Sequence, residues 1–154
     1  MATLEAFLQQ TRNFIQDVEQ KMPIAVTGAA IEAASEIDRR ITESGQGSDG
    51  SQLGEYTDGV YKNKRAKKGL TTAYVNLQFT GDMWRDVGVI DTKTQGNITT
   101  ATIGAKFKES DDKLFYNSVR YNDGILELSQ QEADNAAEAI DEALQLIANK
   151  NFGT

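Results

Sequence analysis

The chain contains neither cysteine nor histidine, and only one of its 154 residues is a proline. Without cysteine it has no disulfide, no thiol nucleophile and no thiolate metal ligand. Without histidine it lacks the commonest general base, the commonest zinc ligand and the side chain that titrates near neutral pH. These absences exclude most familiar catalytic and metal-binding arrangements, and no cofactor is predicted.

Long apolar runs and an excess of positive charge are also missing. No run approaches the roughly 18 apolar residues of a membrane-spanning helix, and the N-terminus lacks the basic start and apolar core of a signal peptide. The formal net charge is −7, which argues against the whole surface binding nucleic acid or an anionic membrane. We therefore expect a protein made and used or assembled in the cytosol, with no membrane partner and no small-molecule substrate.

The apolar pattern predicts helices near both ends of a single domain, over residues 3–44 and 129–150. Pro23 is expected to end or kink the first helix, and it also suits the first position of a second one. Ser129 and Glu132 have the spacing of a capping box, which opens the C-terminal helix.

An alanine-rich apolar stripe in the second half of the N-terminal segment is expected to face the core. Its members are Ile24, Ile31, Ala34, Ile37 and Ile41. The charged residues between them, including Arg40, are expected to stay outside, as on an ordinary amphipathic helix.

The centre of the chain predicts a small antiparallel sheet over residues 73–107. Residues 73–80 alternate apolar and polar side chains, which is the period of a strand with one buried face. Gly81 is expected to turn the chain sharply, and a helical turn then places Trp84, the only tryptophan, in the core.

Smaller elements complete the prediction. We expect a hairpin over 87–94 and 97–104, a short helix over 112–121 capped by Asp111 or Asp112, and a short last strand over 125–128. The fold class is then α+β, with a small antiparallel sheet packed against a long N-terminal helical segment and a C-terminal helix.

Residues 45–70 predict a long flexible loop, because glycines are frequent and apolar residues are few. Within it, tyrosines flank a run of five positive charges. The candidate contact residues toward another subunit or partner are Tyr56, Tyr61, Lys62, Lys64, Arg65, Lys67 and Lys68. Three interpretations stay open: a solvated basic loop, pairing with an acidic surface such as the C-terminal helix of a neighbouring copy, and DNA binding.

No arrangement of residues predicts catalysis or metal binding. Carboxylates are plentiful, but no spacing singles out a pair for acid–base chemistry. Ser110, Asp111 and Asp112 lack the further ligands of a calcium loop. The loop glycines lack the Gly-Lys-Ser or Gly-Lys-Thr of a phosphate-binding loop. We therefore predict that the protein is not an enzyme.

Four stretches occur in an order that carries a family resemblance. They are an alanine-rich helix at 29–41, a tyrosine- and lysine-rich segment at 56–69, the sequence Leu-Gln-Phe-Thr-Gly-Asp-Met-Trp at 77–84, and Gly-Ile-Leu-Glu-Leu-Ser-Gln-Gln-Glu at 124–132. The third is similar to a strand followed by a Thr-Gly-Asp turn, and the fourth to a short strand followed by a Leu-Ser-x-x-Glu cap. Together they resemble the tail-completion or neck proteins of tailed bacteriophages and the related virion morphogenesis proteins.

The resemblance implies a structural role in the virion, with no catalytic residues to carry over. It implies a homo-oligomeric ring at the head–tail junction, assembled in the host cytoplasm, that joins the head connector to the tail. The implied partners are further copies of the chain, the adjacent connector, adaptor and tail proteins, and DNA passing through the lumen. Two alternatives remain: a connector or adaptor ring of a short-tailed phage, and a non-enzymatic module that binds DNA or an acidic partner through the basic loop.

Overall fold

The computed structural model describes residues 3–121 and 125–153, and within these ranges it has one two-stranded antiparallel sheet. Its helices are α1 (Leu4–Arg39), α2 (Val60–Lys67), α3 (Asp82–Asp86), α4 (Lys108–Arg120) and α5 (Gln130–Phe152). Its strands are β1 (Val87–Gln95) and β2 (Ile98–Ala105). The fold is α+β, which confirms the predicted fold class.

The longest element is α1, a continuous helix of 36 residues with a length of about 54 Å. Thr3 caps it, because its side-chain oxygen accepts a hydrogen bond from the Ala6 amide at 3.2 Å. Pro23 lies inside the helix, so the prediction that it ends or restarts there is wrong. An internal proline costs about 3 kcal/mol, but contacts to α5 at Asp17 and Glu36 hold α1 in place on both sides of it.

The second long helix, α5, runs antiparallel to α1. Phe152 near its end packs on Phe14 with a ring-centroid distance of 5.3 Å. Near its start, the Asn135 side chain donates to the Glu36 carboxylate at 2.9 Å. The capping box predicted at the start of α5 is confirmed, because the Ser129 hydroxyl and the Glu132 carboxylate each accept the other residue's backbone amide.

The apolar stripe predicted on α1 is only partly buried. Ala34, Ile37 and Ile41 belong to the core, together with alanines one turn earlier, whereas Ile24 and Ile31 are exposed. The prediction that Arg40 lies outside is also wrong, because its side chain is only 10% exposed and lies against α5. The helical segment 3–44 is otherwise as predicted, since a π-helical turn, Arg40–Ser44, continues directly from α1.

The hairpin predicted after Trp84 is confirmed. Strand β1 pairs with β2 in antiparallel register from Val87 opposite Ala105 to Gln95 opposite Ile98, with a bulge after Val89. Gly96 in the turn has a φ of 59°, which glycine adopts without strain. The hairpin lies along α1 and is joined to it by a hydrogen bond of 3.1 Å between the hydroxyls of Thr92 and Thr27.

The main core lies where the C-terminal end of α1 meets the short helices α3 and α4. Its buried members are Ile37, Ile41, Met83, Trp84, Leu114 and Ile125. Trp84 is 5% exposed, so the prediction that it is a core residue is confirmed. The turn predicted at Gly81 is also present, with a φ of 80° immediately before α3.

The strand predicted over residues 73–80 is absent, so the sheet does not begin until Val87. Among the residues that the structure describes, no second strand lies beside this segment, and Leu77 has a φ of 53°. The alternation predicted Val75 inside and Asn76 outside, but both are buried. The backbone of this segment is hydrogen-bonded to side chains and to one loop carbonyl oxygen, where a neighbouring strand was expected. That oxygen belongs to Gly54 and accepts from the Val75 amide at 2.8 Å.

Two smaller predictions are also corrected. The strand predicted over 125–128 is a turn in the part that is described, because the Arg40 guanidinium binds the Glu127 carbonyl oxygen at 2.9 Å in place of a strand partner. The helix predicted at 112–121 begins earlier, at Lys108. Asp111 and Asp112 therefore lie within α4 and do not cap it.

Candidate binding surface

The segment predicted as a flexible basic loop contains a helix, α2, with a defined start and end. Gly59 precedes it with a φ of 149°, in a region that favours glycine. At its end the Gly69 amide donates to Ala66 and the Leu70 amide donates to Arg65, at 3.0 and 3.1 Å. This pair of bonds is a Schellman motif. Residues 60–67 are therefore held in one conformation, which corrects the prediction of a structureless loop.

Arg65 is the centre of this unit and is fully buried. Its Nε donates to the Thr71 carbonyl oxygen and its Nη2 to Asn76 Oδ1, both at 2.9 Å, and its Nη1 donates to the Gln78 carbonyl oxygen. The guanidinium carbon lies 4.2 Å from the centre of the Tyr56 ring. These neutral acceptors and the ring face hold a buried positive charge and fix the path of residues 71–78.

Aromatic rings continue from Arg65 toward the surface. Tyr61 packs on Tyr56 and stacks on Phe79, with centroid distances of 5.7 and 5.6 Å. The Lys68 ammonium lies 4.8 Å from the centre of the Phe79 ring. Burial raises the pKa of Tyr56, whose hydroxyl is in hydrogen-bond contact with Asn76. Tyr56 therefore packs inside its own chain.

The seven candidate contact residues thus divide into an inner and an outer group. Arg65 is fully buried and Tyr56 is half-buried, so both stabilise the unit from inside. The prediction that Arg65 contacts a partner is therefore wrong. The outer group is Tyr61, Lys62, Lys64, Lys67 and Lys68. Lys62 is bonded to Asp58 at 2.9 Å. The contact role of the outer group stays a prediction.

A second junction, which the sequence did not predict, links both long helices through Arg40. Its Nε donates to Glu132 Oε1 at 2.8 Å, and its two other nitrogens donate to the carbonyl oxygens of Gln46 and Glu127, each at 2.9 Å. Burial raises the pKa of Glu132, but the hydrogen bonds from Arg40 and the Ser129 amide outweigh it and leave that pKa below its ordinary value. The capping-box spacing pointed to Glu132, but nothing in the sequence pointed to its partner.

Exposed apolar surfaces lie on two of the helices, α1 and α4. The first is on the N-terminal turns of α1, where Leu4, Phe7, Leu8 and Ile15 are exposed. The second is on and beside α4, where Phe107, Phe115, Tyr116 and Val119 are exposed. Apolar groups clustered in this way on the surface of a folded chain mark contact sites.

The described residues hold no group of three or more acidic side chains placed to bind a metal ion. No helix in the described ranges is both long and apolar enough to cross a membrane. Compared with known proteins, the chain matches no family model, no curated protein and no solved structure.

Proposed function

We propose that this chain is a structural virion protein of a tailed phage, which forms a homo-oligomeric neck or tail-completion ring between the head connector and the tail. The observation that carries the proposal is the convergence of the family-like stretches in space. They are far apart in the sequence, yet each contributes to one side of the molecule, around the C-terminal end of α1.

Each stretch has a distinct place in this arrangement. The alanine-rich stretch supplies Ile37 and Ile41 to the core, and the Thr-Gly-Asp turn places Met83 and Trp84 against them. The Leu-Ser-x-x-Glu stretch caps α5 and contacts the end of α1 through Glu132. The tyrosine- and lysine-rich stretch contains α2, and Arg65 of α2 donates to Asn76, whose amide nitrogen donates to the Thr42 carbonyl oxygen near the end of α1. Such convergence is expected if the stretches are parts of one scaffold.

A subunit of this kind needs surfaces for its neighbours more than it needs a pocket. The exposed apolar groups on α1 and α4 supply such surfaces, and head-to-tail contacts between two different patches close into a ring when the rotation permits. The α4 patch and the outer lysines of α2 are the surfaces that we assign to ring neighbours.

Imaging tests this proposal directly. A reconstruction of the parent particle should show repeated copies of the α1–α5 pair with its hairpin at the head–tail junction. Purified chain, examined by native mass spectrometry, should give closed multimers, or else subunits that join rings only on the particle. A reconstruction that leaves no density for this chain at the junction would refute the virion role.

A second candidate function is binding of DNA or an acidic partner, and the exposure of Lys64, Lys67 and Lys68 favours it. Binding through lysines releases counterions, so the affinity for duplex DNA should fall steeply with salt. The triple variant K64Q/K67Q/K68Q should lose that binding. The control K106Q/K108Q/K113Q removes three exposed lysines elsewhere and should retain it. Absence of DNA binding at low salt eliminates the DNA form of this function.

A further inference from the structure

The N-terminal end of α1 extends beyond the elements that cover the rest of the helix. Phe14 meets Phe152 at the end of α5, and residues 3–10 are all exposed. Leu4 is 73% exposed and Phe7 is 54% exposed. We call residues 4–15 the α1 tip. Apart from Phe14, which packs on Phe152, its large apolar side chains are exposed, and they continue the line of buried residues farther along α1.

The tip has the spacing of a coiled-coil seam. Leu4, Leu8, Thr11, Ile15 and Val18 follow one another at intervals of four, three, four and three residues, which keeps them on one face of a helix that packs against another helix. Phe7 and Phe14 lie along one edge of this face. Glu5 and Arg12 lie along the opposite edge.

The seam leads into an open cleft between α1 and the tip of the hairpin. The cleft has a volume of about 380 Å³ and is lined on the α1 side by Phe14, Ile15, Val18 and Met22, among others. The hairpin side of the cleft is formed by Thr94, Gly96, Asn97 and Thr99, so a helix that covers the α1 tip would end beside this polar turn.

We propose that the α1 tip binds the same tip of a second copy of this chain, in an antiparallel pair with its two-fold axis between Gln9 and Gln10. In this register Leu4 faces Ile15 of the second copy, and Leu8 faces Thr11 of the second copy. Along one edge, Phe7 of each copy adds to the Phe14–Phe152 pair of the other copy. By symmetry every contact occurs twice.

Charge complementarity identifies a second copy as the occupant and selects this register. Across an antiparallel pair, like edges meet, so Glu5 lies beside Arg12 of the second copy and Arg12 beside its Glu5. A shift of one heptad also keeps the seam in contact, with Leu4 facing Met22. That shift brings Arg12 toward Arg12 and Glu5 toward Glu19, and the like charges repel.

A parallel pair gives no comparable ionic contact. In parallel coiled coils the charges on one edge of the seam meet the opposite edge of the partner, so Glu5 and Arg12 would meet phenylalanines. The tip is therefore complementary to itself in one orientation and one register.

The size of the contact sets its strength. Each copy contributes about twelve residues, so the buried area falls below the roughly 1,200 Å² of standard stable interfaces. We expect a weak dimer that forms as the concentration rises. The contact does not depend on the virion role, since it follows from the α1 tip alone.

Sedimentation velocity with charge reversals tests the pairing. The full chain should show a concentration-dependent dimer. Glu5→Arg and Arg12→Glu should each weaken it by about tenfold, as expected for an interfacial charge pair replaced by repulsion. The double variant E5R/R12E should restore the dimer, because the two charges exchange places. The control Glu32→Arg, an exposed residue of α1 outside the tip, should have no effect.

Disulfide cross-linking tests the register. Because the chain has no native cysteine, any disulfide must join the introduced residues. Leu4 and Ile15 are separated by about 16 Å along one helix, too far for a bridge within a chain. The variant L4C/I15C should therefore oxidise to a covalent dimer. The variant L4C/M22C reports the shifted register and should remain monomeric under the same conditions.

The results that overturn the proposal are distinct from one another. A monomer at all concentrations removes the self-contact and leaves the tip to another partner. Failure of E5R/R12E to restore the dimer removes the charge pairing. Efficient cross-linking of L4C/M22C, or a ladder of higher oligomers from L4C/I15C, replaces the two-fold pair with a different arrangement.

Discussion

At the scale of single residues, the molecule holds the largely buried side chains of Arg40 and Arg65 in different ways. Arg40 is neutralised by Glu132, with which it forms an ion pair of 2.8 Å. Arg65 is surrounded by carbonyl oxygens, an amide and a tyrosine ring. Breaking a buried ion pair leaves an uncompensated charge, whereas removing a buried arginine with neutral partners leaves acceptors without donors. The two sites therefore respond to different substitutions.

Removing Glu132 should be strongly destabilising. Glu132→Ala leaves Arg40 charged and buried and also removes half of the capping box, so we expect a loss of about 3–5 kcal/mol in the free energy of unfolding. The control Glu138→Ala removes an exposed acid from the same helix and should change it by no more than about 0.5 kcal/mol. Urea denaturation measures both. A small effect of Glu132→Ala would show that the pair contributes little.

The same pair should make stability depend on pH on the acidic side. The pKa of Glu132 in the folded chain lies below its ordinary value of 4.5, so the folded state binds fewer protons than the unfolded state. Its contribution is fully present above about pH 4.5 and is lost as the pH falls through the folded pKa. The wild-type chain should therefore lose stability more steeply below that pH than Glu132→Ala. Equal slopes would contradict the assigned shift.

Trp84 should contribute to stability through its volume. Trp84→Ala should cost roughly 3–5 kcal/mol, as expected for a large core side chain. Its indole nitrogen is buried without a hydrogen-bond partner in the described structure, so Trp84→Phe loses no hydrogen bond and should cost clearly less. Thermal denaturation of both variants gives the comparison. Equal losses would mean that the nitrogen has an important partner.

At the scale of elements, sequence periodicity predicted the helices and strands that apolar packing stabilises. It did not predict the segments whose conformation depends on a single buried polar side chain. The hairpin and α5 were predicted because alternation, turn residues and a capping box all reflect local forces. The strand over 73–80 was wrong because alternation says nothing about whether a second strand lies alongside. Helix α2 was missed because its inner face is formed by Arg65, which a hydrophobic pattern counts as a surface residue.

The order of residues 71–78 should depend on Arg65. Arg65→Lys keeps the charge but loses the planar fork that reaches three acceptors, so amide hydrogens around Asn76 should exchange faster with solvent. We expect a cost of about 3 kcal/mol for Arg65→Ala, because buried acceptors lose their donors. Lys64→Ala on the exposed side is the control. Unchanged exchange in Arg65→Lys would show that the segment is held by other contacts.

The end of the π-helical turn should tolerate no side chain. Gly45 has a φ of 64°, and a Cβ there would overlap the Tyr74 ring and come within 2.8 Å of the Val75 carbonyl oxygen. Gly50 has a similar φ of 79° but open space around it. Both alanine variants bear the left-handed backbone cost of about 1–2 kcal/mol, so Gly45→Ala should be the less stable by calorimetry. Equal melting temperatures would contradict this packing.

At the scale of the whole molecule, α1 is the element on which the others depend. Helix α5, the hairpin and the core around Trp84 all pack along it, whereas its tip is largely exposed. The basic residues of the candidate surface were predictable from composition. The division into an inner and an outer group was not, because burial of Arg65 depends on contacts with residues 71–78. The Arg40 junction was not predictable either, since its partners lie up to 92 positions away.

Deleting the first twelve residues should separate stability from association. These residues are almost entirely exposed where they are described, so their removal should lower the free energy of unfolding by no more than about 1 kcal/mol. The shortened chain should lose the concentration-dependent dimer. Chemical denaturation and sedimentation measure the two effects. A large loss of stability would show that the tip packs on its own chain.

The antiparallel packing of α1 on α5 has a consequence for the chain during synthesis. Arg40 and Glu132 are separated by 92 positions, and a ribosome adds about 5–20 residues per second, so α1 waits roughly 5–18 s for α5 to appear. For that interval its alanine–isoleucine face is open to water and to neighbouring nascent chains. Polysomes place such chains side by side, and a chaperone that shields α1 until α5 emerges should raise the yield of folded protein.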